Sequence, residues 1–361
     1  MKISQTLPCH LCKKPADLKF KNHTGYQRSD SYDIYHCDHC GTAFASPLKV
    51  NSEIYDLIYS QIDQVPGYER YFRYSHQILK EQDPLDYLAK SEDIYWSIQK
   101  VLNGLKKAKP SIKLKVLEVG CGFGYLTYAL AKSGYDVLGI DISKVAVDQA
   151  KSRYGEYFAH LDLREYANKM GPSYDVIVFT EVIEHIENVQ EFLHAADELL
   201  LPSGHLIMTT PNRTPYPADV LWETEPPPIH LWWFSEQSIQ FLANKLGHQV
   251  SFVDFTDFNI REVDQFKDYQ KPLVNICHFQ PSRLPRLDEH GKILTKGVVE
   301  TSLPVEPHYF KIVIKKLLTQ LGLWKHLVAW KGKVHLYRLK SFLRRHPQKR
   351  PTLCAVFLKI Q

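Results

Sequence analysis

The stretch Lys115-Val-Leu-Glu-Val119-Gly120-Cys121-Gly122-Phe123-Gly124 constrains this chain more than any other, because it reads as a strand, a glycine turn and a helix start. Glycines at 120, 122 and 124 permit positive φ and close backbone approach, and Tyr125 to Lys132 reads as a helix whose first N–H groups point into the turn. A turn of that kind holds an anionic cofactor group. Asp141 closes the next apolar run, Val137-Leu-Gly-Ile140, at about the distance of a ribose-binding carboxylate in a dinucleotide fold. The expectation is an α/β chain with a site for a nucleoside carrying a small charged tail.

Gly-x-Gly-x-Gly is tighter than the Gly-x-Gly-x-x-Gly of dinucleotide sites, and Glu118 ahead of the turn would repel a pyrophosphate while suiting an ammonium. On these residues the segment resembles the first motif of the class I S-adenosylmethionine-dependent methyltransferases, over residues 112–215. The resemblance implies a Rossmann-like sheet of seven strands with helices on both faces. It implies that Glu118, Gly120, Cys121, Gly122 and Gly124 shape the methionine end of an S-adenosylmethionine pocket, that Asp141 binds the ribose, and that Thr180 ends a strand beside the donor. Asp162, after the short apolar run Tyr157 to Leu161, would bind the adenine amino group or else be a solvated loop carboxylate. Tyr174 to Thr180 is a continuous apolar run, as a strand buried on both faces requires, and His205 to Asn212 reads as the next strand after a turn at Pro202-Ser-Gly204.

Glu181-Val-Ile-Glu184-His185 begins at a strand end, where open α/β sheets bind ligands. A helical turn there would put Glu181, Glu184 and His185 on one face, with Asn188 capping a following helix whose apolar face is Val189, Phe192, Leu193, Ala196, Leu199 and Leu200. The segment resembles two methyltransferase groups, the ubiquinone-biosynthesis O-methyltransferases and the small-RNA 3′-end 2′-O-methyltransferases. The second resemblance implies that Glu181, Glu184, His185 and a downstream His230 hold Mg²⁺ or Mn²⁺. Without a metal, His185 or His230 would take a hydroxyl proton during methyl transfer, or serve only in packing.

Cys9-x-x-Cys12 and Cys37-x-x-Cys40, with Gly41 after the second pair, match a four-thiolate structural zinc ribbon. Disulfides are the alternative, and they fit poorly with an N-terminus, Met1 to Thr6, that has no apolar signal region. Cys121, Cys277 and Cys354 are scattered. The chain has 361 residues and 44% hydrophobic content, more than one domain's worth, and no run long enough to span a membrane, so a cytoplasmic protein is expected.

These signals divide the chain into a ribbon at 1–48, an aromatic-rich helical lid at 49–105, a methyltransferase core at 106–256, a basic and partly helical insertion at 257–350, and a last core strand at 351–361. Strands at Val250 to Phe255 and Thr352 to Ile360 complete the sheet. Residues 307–350 hold twelve Lys and Arg and no Asp or Glu, interleaved with Trp324, Trp330 and aliphatic residues. Such a face suits peripheral contact with an anionic membrane, RNA, or solvent alone. A ribbon ahead of this core also resembles sugar and envelope-polysaccharide methyltransferases. The expected reaction is therefore O-methylation of a saccharide or other small hydroxylated metabolite. RNA ribose 2′-O-methylation with a divalent metal, and a non-catalytic zinc-ribbon adaptor, are the alternatives.

Overall fold

Val176, Ile177, Val178 and Phe179 are fully buried in succession, and since side chains alternate along a strand, both faces of their sheet must be covered. The computed structural model, which describes residues 5–26, 30–51, 54–55, 59–60, 69–216, 221, 226–259 and 351–360, shows how. Five parallel strands form the body of the sheet: β5 (Lys115–Val119), β6 (Asp136–Asp141), β7 (Phe158–His160), β8 (Tyr174–Thr180) and β9 (Leu200–Pro211). β12 (Thr352–Leu358) pairs antiparallel to β9, and β11 (Gln249–Phe252) pairs antiparallel to β12. The order is β11-β12-β9-β8-β5-β6-β7. The chain runs outward from β5 through β6 to β7, then returns to place β8 on the other side of β5, so the carboxyl ends of β5 and β8 frame a crevice.

One face is packed by Leu126, Ala129 and Leu130 of α4 (Tyr125–Lys132) and by Val147 and Ala150 of α5 (Lys144–Tyr154). They are joined by Ile98 and Leu102 of α3 (Asp93–Ala108), Leu88 of α2 (Pro84–Ser91) and Tyr74 of α1 (Glu69–Gln77). The other face is packed by α6 (Leu163–Ala167), α7 (Val189–Leu199) and α8 (Glu236–Leu246). The predicted apolar stripe of α7 is buried there, from Val189 to Leu199.

The N-terminal ribbon consists of β1 (Thr6–Pro8), β2 (Pro15–Thr24), β3 (Ser31–His36) and β4 (Ala43–Ser46), joined as an antiparallel meander. A fifth strand, β10 (Trp232–Trp233), pairs with β4, so the sheet is completed by residues nearly 190 positions downstream. Ribbon side chains such as Phe44, Tyr35 and Trp232 share one buried cluster with Phe179 and Leu193 of the seven-stranded body.

Three predicted details differ. Pro202 to Gly204 lie inside β9 instead of preceding it, with Ser203 at φ +61° and a register break opposite β8. The strand expected to reach Phe255 stops at Phe252, because the Asp254 carboxylate accepts from the Thr256 backbone N–H and turns the chain, tucking Phe255 against Trp96 at 5.7 Å between ring centroids. Asn188 does cap α7 but makes no side-chain capping bond. The basic segment 307–350, with Cys277 and Tyr68, lies outside the described residues.

Candidate active site

The crevice at the ends of β5 and β8 opens into a cavity of about 670 Å³. The predicted residues Glu118, Gly120, Cys121, Gly122, Asp141, Asp162, Thr180, Glu181 and His185 all line it. Gly120 sits at φ +73°, and a Cβ there would lie 2.6 Å from Val182 Cγ2, so the β5 turn closes directly against the loop after β8. Gly124 sits at φ +76° with Phe158 Cε1 and Ala150 Cβ at 2.5 and 2.7 Å from where a Cβ would be; it seats α4 on the sheet and does not line the cavity.

The turn does not form the anion cradle expected of it. The N–H groups of Gly120 and Cys121 both donate to Ile140 O, at 2.8 and 3.1 Å, and the Gly122 N–H donates to Asp141 Oδ2 at 2.9 Å. With these three amides committed, the turn offers no nest for a pyrophosphate. Their engagement serves Asp141 instead. Its other oxygen accepts from Ser143 N–H at 2.8 Å, so the carboxylate is clamped with remaining lone pairs available to a diol. Burial pushes its pKa up, an effect the two backbone bonds oppose.

Glu118 faces α4, where the Thr127 hydroxyl donates to it. It is 2% exposed, and burial raises its pKa to about 8. A cation brought into the cavity would therefore find a carboxyl that gains by ionising. Burial likewise pushes the Cys121 thiol up, so Cys121 packs as a neutral side chain. Asp162 caps α6, its Oδ1 accepting from the N–H groups of Arg164 and Glu165 at 2.8 and 3.1 Å.

The segment expected to close over the cofactor as an aromatic-rich lid also lines the cavity, through Tyr55, Tyr59, Arg70, Tyr71 and Tyr95. The Tyr59 hydroxyl comes within 3.3 Å of where a Gly122 Cβ would sit, and the Tyr95 and Tyr125 hydroxyls are hydrogen bonded at 2.6 Å. Arg70 donates to the Tyr71 hydroxyl at 2.6 Å and pairs with Glu92 at 3.4 Å, placing a guanidinium on the cavity wall. Of these lining residues, Arg70 is the one sequence reasoning did not single out; its signal is the pair Arg70 and Arg73 among the tyrosines.

The acidic segment is not the single helical face expected. Glu181 takes φ +53°, and the turn that follows is a short 3-10 helix, Ile183–His185, which separates Glu181 from the two residues it was to join. Glu184, His185 and His230 do gather, with ligand atoms all within 4.8 Å of one another; Glu181 is outside that group. The predicted set of four metal ligands is therefore not assembled. Of the three, only His185 lines the cavity, while Glu184 and His230 are buried behind it. The Thr210 hydroxyl donates to Glu184 Oε2 at 3.0 Å. His185 Nδ1 lies 2.8 Å from Ile229 O and 3.1 Å from the Tyr55 hydroxyl; the carbonyl can only accept, so the shorter contact is satisfied by a proton on Nδ1, which leaves Nε2 as the basic nitrogen of the neutral ring. Glu184 Oε1 stands 3.9 Å from Nε2.

The four cysteines of the ribbon also meet. Cys9 Sγ is 3.6 Å from Cys40 Sγ and Cys12 Sγ is 3.4 Å from Cys37 Sγ, all without a disulfide. Zn–S bonds of about 2.3 Å in a tetrahedron put the sulfurs about 3.8 Å apart, so the donor set and its spacing fit a structural zinc.

A family model described as "Methyltransferase domain" matches residues 63–251, just over half of the chain. The ubiquinone biosynthesis O-methyltransferase of Alkalilimnicola ehrlichii is 34% identical over 106 residues, which are 28% of this chain and 43% of that protein. The namesake protein of Acinetobacter baylyi is 35% identical over 107 residues, 28% of this chain and 45% of its own. The chain thus spans less than half the length of the curated relatives it matches. Among solved structures, a SAM-dependent methyltransferase from Archaeoglobus fulgidus aligns at 16% identity and TM-score 0.38, covering 72% of this chain and 94% of that one.

Proposed function

The chain belongs to the class I methyltransferase-domain family, and we propose that it is an S-adenosylmethionine-dependent O-methyltransferase whose acceptor is a saccharide or another small hydroxylated molecule. The observation that carries this reading is one cavity lined at once by a clamped carboxylate, Asp141, a buried carboxyl, Glu118, and an imidazole of defined tautomer, His185. In this reading Asp141 accepts from the ribose hydroxyls. Glu118 meets the methionine ammonium and Arg70, which lines the same cavity, its carboxylate. Asp162 stands at the adenine end. The sulfonium supplies an activated methyl group, so the protein's task is to align the attacking oxygen and remove its proton. His185 Nε2 receives that proton, and Glu184, itself screened from the cavity, stabilises the imidazolium.

The cavity, of a volume usual for small-molecule sites, suits a small acceptor. Supporting O-methylation are the curated relatives, which are named O-methyltransferases. The ribbon is read as holding zinc, and peripheral membrane contact through residues 307–350 remains part of the proposal. No helix among the described residues is long and apolar enough to cross a membrane.

The test is transfer of labelled methyl from S-adenosylmethionine to fractionated metabolites, glycans and RNA. Incorporation into a base-labile-resistant ether of a small hydroxylated acceptor supports the reading. Incorporation only into RNA, lost after periodate treatment of the terminal ribose, replaces the acceptor. Failure to bind S-adenosylmethionine at millimolar concentration by calorimetry ends the enzyme reading in favour of an adaptor.

A further inference from the structure

Residues 229–233 are clamped between the cysteine ribbon and the turn that carries His185. On the ribbon side, β10 pairs with β4, Trp232 opposite Phe44 and Trp233 opposite Ala43, and the Ala45 N–H donates to Leu231 O at 2.9 Å. On the other side, the Leu231 N–H donates to Glu184 O at 2.9 Å and the Trp232 indole Nε1–H to Ile186 O at 2.7 Å. These two bonds bracket His185 in the chain. Its own Nδ1–H is held by Ile229 O, two residues before Leu231, with the Tyr55 hydroxyl donating to the same carbonyl at 3.3 Å. Ile229, Leu231, Trp232 and Trp233 are all buried, so water does not compete for these groups.

Both cysteine knuckles touch this assembly. His10, between Cys9 and Cys12, packs edge-on against Phe44 and Trp232, at 5.1 and 6.2 Å between ring centroids. Gln190 of α7 donates through Nε2 to Leu11 O of the same knuckle at 3.1 Å. In the second knuckle, Gln237 of α8 donates to His39 O at 2.8 Å, and a Cβ on Gly41 would lie 2.6 Å from Ser235 Oγ. A two-residue strand has too little of its own pairing to hold a loop in register. The ribbon supplies what it lacks.

We propose that the ribbon is a positioning device for the acceptor side of the cavity: β10, held by β4 and the Cys9–Cys12 knuckle, presents Ile229 O to His185 and so fixes which imidazole nitrogen is basic. Leu231 and Trp232 are positioning residues that act through the backbone on either side of His185. The cysteine site thereby sets the competence of the proton acceptor while leaving the donor half of the cavity, built from β5, β6 and α4, to the sheet. This rests on the methyl-transfer reading for its catalytic consequence, though not for its geometry.

The test compares the full chain, zinc-loaded and chelated, with Trp232→Phe, which keeps the ring and removes the indole N–H, and Gln190→Ala, which releases the knuckle from α7. Three quantities are read: donor affinity by calorimetry, kcat, and solvent exchange of the His185 Nδ1 proton in ¹⁵N-histidine-labelled protein, assigned by its loss in His185→Gln. The expected result for Trp232→Phe is donor affinity within about twofold of the parent, zinc content unchanged, kcat down at least tenfold and Nδ1–H exchange at least tenfold faster. Chelation, which removes the zinc, gives the same changes in donor affinity, kcat and exchange, and Gln190→Ala weaker ones. Unchanged exchange in all three, with donor affinity intact, overturns the proposal. So does a fall in donor affinity that matches the fall in kcat, because that reports general loosening. If Trp232→Phe does not fold, Gln190→Ala decides. If the parent transfers no methyl group, the functional reading fails and the exchange measurement still decides this one.

Discussion

At the residue scale, Glu118 combines a role readable in the sequence with a state that only burial sets. A glutamate before a glycine turn announces a partner for an ammonium, but its elevated pKa of about 8 comes from the closed packing of β5 against α4. Near pH 7 the carboxyl of the empty cavity is mostly protonated, and an arriving ammonium drives it to ionise. Donor binding should therefore release close to one proton at pH 7, measurable from binding enthalpies in buffers of different ionisation enthalpy. Between about pH 6 and 7, where an α-amino group is still mostly protonated, affinity should rise with pH, up to about tenfold per unit. Glu118→Gln should bind more weakly, release no proton and lose this dependence. His185 gives a second prediction of the same scale: if the ring meets the acceptor as proposed, His185→Ala should lower kcat about a hundredfold or more while donor affinity stays within about twofold. The sequence grouped His185 with Glu184, and the structure brings the two together with His230. The sequence did not reveal that Glu181 would depart from them, since a left-handed φ at a glutamate has no periodic signature.

At the scale of elements, what could be read was what is local. β5, its turn, α4 and β8 are each encoded in a contiguous stretch, and their expected bounds agree with those found. The β10 strand was not readable, because two tryptophans carry no strand period and their pairing partner lies in the N-terminal ribbon. The tyrosines of the lid were readable as a group, but the particular contact was not: an aromatic stripe says that rings will be covered, not which ring will lie over Gly122. Gly124 offers a test of how tightly the elements close. An alanine there would meet both Phe158 and Ala150 at a positive φ, so Gly124→Ala should cost about 2–4 kcal/mol, read as a lower denaturant midpoint with an unchanged slope.

At the scale of the whole molecule, the ribbon and the catalytic body share one buried cluster, so the metal site should report on both. Exhaustive chelation should lower the thermal midpoint of the entire described body in one cooperative transition, measured by calorimetric scanning; two separated transitions would mean that the ribbon melts alone. Fold class was legible here, since the glycine turn and its ordered strands permit few topologies. The fusion of ribbon to core was not, because the contacts that make it lie nearly 190 residues apart. The sheet order has a consequence for biogenesis. β12 lies between β9 and β11, yet it is synthesised after both of them and after the whole stretch 260–350. Until residue 352 has been made, β9 and β11 each present an open strand edge, and the ribosome must complete about 90 further residues while the sheet waits for its seventh member. A chain cut before residue 351 should therefore be recovered as aggregate, and in the cell the nascent core is a natural client for a chaperone until its last strand arrives.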